Sequence, residues 1–192
     1  MEKVEREKLI AQHNLYVSFQ EIETVKQAIK ENSLFELVEK RVRAHPNLLA
    51  GWRLIREYAE LIERSDPKIK RKFLYTGLDS IYRPAVKRHG RALLNIKWDK
   101  EELVISTDFG MLADLYLRPV FGPVPAEMLE TYPAGHAEIP DEVEREAIES
   151  AAENLLNFLK NNPDKKFRIY VSEVWVDHLK NLPPNGELNV LS

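Results

Sequence analysis

Apolar residues recur at helical spacing through the first third of the chain and in short strand-like runs after it. Phe19, Ile22, Val25 and Ile29 follow one another at intervals of three and four, which places them in one stripe on a helix. Ser18-Phe-Gln-Glu21 reads as a capping box that opens this helix, hydroxyl and carboxylate satisfying backbone donors that would otherwise be orphaned. A second box, Ser33-Leu-Phe-Glu36, opens another helix. Pro46 predicts its end near Ala44–His45, because proline disfavours helical geometry in the residue before it. Pro46 itself suits the first turn of a third helix, whose predicted buried face is Leu48, Leu49, Trp52, Ile55, Tyr58, Ala59 and Ile62. Turns this short predict helices packed as neighbours or against something larger.

Beyond Ser65–Pro67 the pattern changes. KFLYT (72–76) reads as a short strand followed by a turn at Gly77, residues 84–96 as a basic helix, and ELVIST (102–107) as a strand. Residues 117–140 hold five prolines and two glycines, which predicts an ordered but irregular loop. A helix over 141–160 carries Ile148, Ala151, Ala152, Leu155 and Leu159 on one side. FRIYVS (167–172) is the clearest strand, a short helix follows at 173–180, and ELNVL near the C-terminus reads as an edge strand. The predicted class is α/β: an N-terminal helical segment over residues 1–64, then a small, three-layer-like α/β domain with a short sheet over 65–192.

Composition narrows the setting. A chain of 192 residues can bury a core without staples, and 44% hydrophobic with 31% charged residues is a globular balance. There is no cysteine, hence no disulfide and no self-contained thiolate metal site. The first residues, MEKVEREKLIAQ, lack the apolar core of a signal peptide, and no apolar run approaches the ~18 residues of a membrane span. A cytoplasmic protein without a membrane partner is expected.

The net charge of −3 conceals a strong polarity. Residues 64–100 carry eleven Lys and Arg against three Asp, a balance of +8, and residues 127–153 carry nine Asp and Glu against one Arg, a balance of −8. Either the two stretches attract each other as solvated faces, or the basic one meets a polyanion. In the second case Lys70, Arg71, Lys72, Arg83, Lys87, Arg88 and Arg91 form a phosphate-contacting RNA surface, with Lys87 and Arg91 on one helical face. Tyr75, Tyr82 and Trp98 lie among these cations and are either core residues or platforms for stacking bases. No local motif marks an enzyme: there is no phosphate-cradling glycine loop, no HExxH and no GxSxG. Asp108, His136 and Glu138, in STDFG and YPAGHAEIP, are the candidate catalytic groups on loops; a His and a Glu two apart in such a loop also serve simply to tie it together.

Several long stretches resemble the archaeal tRNA-guanine transglycosylase family, which starts archaeosine synthesis. They are AQHNLYVSFQEIETVKQAIKENSLFELVEKRVRAHPNLL, FLYTGLDSIYRPAVKRH and VFGPVPAEMLETYP, in that family's order, with FRIYVSEVWVDHLKNLPP fitting the same region. The resemblance implies the end of the family's catalytic barrel followed by its first accessory domain. His13, in QHNLY, matches the last ligand of a structural zinc site whose three cysteines precede it in the family; this sequence has none of them. The two aspartates that act as nucleophile and base, the guanine pocket and the terminal RNA-binding domain have no counterpart here either. His13 is then an orphaned zinc ligand: a partner chain supplies the thiolates, or the site has decayed. The role implied is a non-catalytic split or stand-alone accessory component of archaeal tRNA modification, with tRNA and a catalytic transglycosylase subunit or a second copy as partners. No cofactor is implied except zinc shared with a partner chain. The competing readings are an independent nucleobase- or nucleotide-acting enzyme using Asp108, His136 and Glu138, and an assembly module without RNA contact.

Overall fold

The computed structural model describes residues 2–131 and 133–191; Tyr132, in the proline-rich stretch, lies outside them. The chain opens with one long helix, α1 (Lys3–Lys30), which runs straight through the expected start at Ser18. The Ser18 hydroxyl donates instead to the carbonyl of Asn14 inside the helix, a back-bonded arrangement that leaves no cap to form. Glu, Lys, Arg, Gln, Leu and Ala dominate residues 5–12, and all are strong helix formers. Asn32, at φ 57°, breaks the helix in the left-handed region that asparagine tolerates. Helix α2 (Leu34–Val42) follows, with Ser33 at the N-cap position but making no side-chain cap bond. Helix α3 (Pro46–Leu54) starts at Pro46 as expected, capped by the His45 ring accepting from the Asn47 N–H. A 3-10 turn over Ile55–Tyr58 interrupts it before α4 (Ala59–Ser65). The predicted third-helix face is therefore broken, and Leu48, Ile55 and Tyr58 remain exposed.

After a 3-10 turn at Leu78–Tyr82, helix α5 (Pro84–Leu93) leads into strand β1 (Glu102–Ser106). KFLYT does not join the sheet; it contributes an isolated bridge between Leu74 and Glu138. The stretch expected to be an irregular loop holds two strands, β2 (Leu115–Arg118) and β3 (Gly122–Pro125), paired as an antiparallel hairpin. Prolines 123 and 125 are compatible with this because β3 is an edge strand, where a missing N–H costs no ladder bond on the open side. Gly122 sits at φ 84°, and a Cβ there would come within 2.8 Å of the Ala151 carbonyl oxygen, so only glycine lets the hairpin approach the next helix. That helix is α6 (Arg145–Asn161), followed by β4 (Lys166–Val171), the short α7 (Glu173–Val176) and β5 (Gly186–Val190).

The five strands form one mixed sheet in the order β3-β2-β1-β4-β5, parallel throughout except for β2 with β3. Alternation along β1 and β4 turns Leu103, Ile105, Phe167, Ile169 and Val171 toward α6, where they meet Ala151, Leu155, Phe158 and Leu159 in a dry core. The opposite face of these strands, with Val104, Arg168 and Tyr170, is partly exposed. A second core joins Phe73, Val86, Phe121, Val124 and Ala147, tying the 72–76 segment and α5 to the hairpin and α6. The α/β class and the short sheet are as the sequence indicates.

Candidate nucleic-acid interface

The basic stretch folds back onto the helical segment rather than standing free. Arg83, buried at the start of α5, forms a fork on Glu39 of α2, with Nε at 3.1 Å and Nη2 at 2.6 Å, and its Nη1 reaches Glu36 at 2.8 Å. Glu39 is 0% exposed and also accepts from the hydroxyls of Ser80 and Thr76. The Arg83 guanidinium lies over the Phe73 ring at 4.6 Å. Lys70 is buried on Asp66, and Arg88 reaches the same carboxylate from α5. Arg91, one turn further, pairs with Glu63 of α4. Arg88 and Arg91 thus turn toward α4, and among the seven cations Arg71, Lys72 and Lys87 are left exposed with no ion pair among the described residues. The structure brings the seven together only in part: Lys70 and Arg83 are buried in ion pairs.

These ion pairs run to Glu36, Glu39, Glu63 and Asp66. Among the described residues none joins the basic stretch to the acidic one at 127–153. The acidic stretch contributes a different contact, in which the Tyr75 hydroxyl donates to Glu144. Burial and this hydrogen bond push the Tyr75 phenol well above its ordinary value, and the same bond holds the Glu144 carboxyl below its own. Tyr75 is buried and closed to stacking. Tyr82 is partly exposed but covered on one face by the Arg56 guanidinium at 3.9 Å. Trp98 packs edge-on against Phe158.

A second arginine group lies outside the basic stretch and was not singled out by sequence. Asp79, 3% exposed at the side chain, receives Arg43 from the end of α2 at 3.1 Å, Arg53 from α3 at 3.2 Å, and Arg56 from the 3-10 turn. Burial lowers the Arg56 pKa from its ordinary value. Arg43, Arg53 and Arg56 are 36, 26 and 23 residues from Asp79 in sequence, so nothing local announces them.

The candidate catalytic groups are each in local use. The Asp108 carboxylate accepts from the Gly110 N–H at 2.8 Å in the loop after β1. Glu138 works through its backbone, bonded to Phe73 and Tyr75, and His136 Nδ1 is 3.9 Å from Glu130. Arg118 stands between the two loops: it donates to the carbonyls of Gly135 and Ala137 and lies 5.6 Å from the Phe109 ring. His13 is exposed in the middle of α1. Among the described residues no three His, Asp or Glu side chains are grouped to hold a metal. No described helix is long and apolar enough to cross a membrane.

The remaining surface of note is apolar. In α1 the described side chains are exposed or partly so except Ala28; Phe19 (64% exposed), Ile22, Val25 and Ile29 make the predicted stripe an open one, and Leu15 (60%) is exposed one turn before it. Between the end of α1, α2, α3 and α4 lies a groove of about 310 Å³ that includes Ile29, Phe35, Trp52 and Ile62.

The family described as queuine tRNA-ribosyltransferase matches residues 1–47. A tRNA-guanine(15) transglycosylase of Archaeoglobus fulgidus is 71% identical over all of this chain, which spans 40% of that relative. The enzymes of the same name from Haloarcula marismortui and Methanocaldococcus jannaschii are 39% and 40% identical over 94% and 83% of the chain, which spans 37% and 27% of their lengths.

Proposed function

We propose, taking the chain as a stretch of the archaeal tRNA-guanine transglycosylase family, that it is a non-catalytic accessory portion of such an enzyme. In this reading it contacts tRNA and docks on the portion that carries guanine exchange. The observation that supports docking is the open stripe of α1. A helix whose apolar face has no partner in its own fold is built to be covered. The chain spans well under half of its relatives, so those relatives carry further chain that can supply the cover. Burying the exposed parts of Leu15, Phe19, Ile22 and Ile29 contributes roughly 1 kcal/mol each, about 4 kcal/mol before ordering costs.

The RNA-contacting part of the reading rests on exposed cations, Arg71, Lys72 and Lys87, set beside a rigid network of paired ones. Contacts of this kind position a nucleic acid without reading its sequence.

The test is a chimera in which this chain replaces the matching stretch of the Archaeoglobus relative. Guanine incorporation into tRNA by the chimera supports the reading. The Phe19→Asp/Ile22→Asp chimera should lose that activity while this chain, carrying the same pair alone, keeps its thermal midpoint. Full activity of the Asp chimera would overturn docking through α1.

A further inference from the structure

The arginines gathered on Asp79 exceed what the carboxylate can neutralise. We propose that Arg43, Arg53 and Arg56 form a binding site for one RNA phosphodiester. The proposal deepens the tRNA-contacting part of the reading above and rests on it.

Charge comes first. Three guanidinium groups converge on Asp79. Two further carboxylates are at hand: a Cβ at Gly77 would lie 3.2 Å from Arg43 Nη2 and 3.7 Å from Glu144 Oε1, and Glu39, forked by Arg83, acts on Arg56. With Arg83 and its partners Glu36 and Glu39 counted, four arginines face four carboxylates, so what the group offers a phosphodiester is spare hydrogen-bond donors rather than surplus charge. Glu57 and Glu60, four residues beyond Arg53 and Arg56, make no ion pair with them among the described residues.

Donor geometry comes next. Arg53 spends its Nε on Asp79, its terminal nitrogens have no protein partner among the described residues, and its side chain is 53% exposed. That is a free planar fork of the kind that receives two phosphate oxygens. Arg43 and Arg56 are more buried and are held in place, Arg43 by the Glu39 carbonyl and Arg56 by the face of Tyr82. Charges fixed before the ligand arrives lower the ordering cost of binding. The network is also not closed on itself: Arg56 Nε is buried without a hydrogen-bond partner. A cluster serving stability alone is expected to satisfy its members.

Placement completes the argument. Arg43 lies on the rim of an open groove of about 810 Å³ that also holds Lys40 and the exposed Lys72. Glu23 on α1 and Glu31 at its C-cap also line the groove, as does Glu36, which is paired with Arg83. Arg53 shares Asp79 with Arg43, so a backbone seated on Arg53 lies next to the rim that Arg43 occupies.

The experiment is a fluorescence titration of tRNA with the chain at several salt concentrations. It compares the unaltered chain with Arg53→Gln, Arg53→Lys and, as a control on the sheet, Arg168→Gln, whose side chain pairs with Glu102. Arg53→Gln should weaken binding roughly tenfold at low salt and flatten the log–log salt slope by about 0.7–0.9. Arg53→Lys should restore the slope, because charge is kept, but only part of the affinity, because the fork is lost. Arg168→Gln should change neither. Asp79 keeps Arg43 and Arg56 in the Arg53 variants, so a thermal midpoint near that of the unaltered chain is expected and checks that the fold persists. Unchanged affinity and slope in Arg53→Gln, beside salt-sensitive binding by the unaltered chain, overturn this site and leave the tRNA reading standing. Absence of salt-sensitive binding by the unaltered chain overturns both. A parallel thermal titration with inorganic phosphate separates the sources: stabilisation that Arg53→Gln removes, without any effect on tRNA binding, assigns the site to free phosphate and overturns the RNA assignment.

Discussion

Removing the carboxylate of Glu39 isolates what joins the helical segment to the rest of the molecule. Glu39→Ala leaves Arg83 buried with its fork unmatched, and strips an acceptor from Ser80 and Thr76. Breaking one side of a buried, hydrogen-bonded pair costs about 3–5 kcal/mol, because the remaining charge is left uncompensated. Glu36 still reaches Arg83 Nη1 at 2.8 Å, which places the expected loss toward the lower end, about 3 kcal/mol. For a chain of this length that is a fall in thermal midpoint of roughly 6–12 °C. Urea unfolding followed by circular dichroism and tryptophan fluorescence reads it. Trp52 reports on the helical segment, Trp98 and Trp175 on the sheet core, so a loss confined to the helices shows as transitions that no longer coincide. The double variant Glu39→Met/Arg83→Met removes both charges and should recover most of the loss, since well-packed apolar replacements of a buried pair are often neutral. A loss below about 1 kcal/mol for Glu39→Ala, the range of an exposed pair, would refute this account of the joint.

Three other outcomes follow from the same structure. His89 is buried, with Nε2 2.8 Å from the Pro123 carbonyl oxygen, and burial lowers its pKa below the ordinary value near 6.5. The unfolded chain therefore takes up a proton first as pH falls, so stability complete above about pH 6.5 declines through and below it; His89→Gln should flatten that decline in a pH series of urea midpoints. The isolated chain should purify without stoichiometric zinc, and His13→Ala should leave its thermal midpoint unchanged; elemental analysis finding one zinc per chain would contradict this. Phe19→Asp should change the stability of the isolated chain by no more than about 0.5 kcal/mol, as a surface substitution does, and a larger loss would show that α1 already has a partner within the fold.

Much of the architecture was legible in the sequence because its signals are local. Pro46 and Pro84 start helices, the alternation in ELVIS and KFRIYV builds the central strands, and the small and aliphatic side of α6 faces them. Ser18 misled because a serine three residues before a glutamate also fits the middle of a helix, where the hydroxyl bonds backward. The β2–β3 hairpin was hidden by prolines that only an edge strand tolerates, and edge position is decided by topology rather than by spacing. KFLYT has strand composition, but its neighbour is a single bridge at Glu138. The interface was the least legible part. Charge density marked residues 64–100, whereas burial decided which cations remain free, and the partners of Arg83 and Asp79 lie in a different part of the chain. Arg43, Arg53 and Arg56 stand apart from that dense stretch and come together only through the fold.

The proposed division of labour, with this chain as accessory to a separate portion that carries the chemistry, is tested most directly by incorporation of radiolabelled guanine into tRNA. The chain alone should leave the RNA unlabelled at any concentration, and the chimera that carries it within the Archaeoglobus relative should label tRNA. Label incorporated by the chain alone, above a control without protein, would contradict the account, as would a folded chimera that leaves tRNA unlabelled.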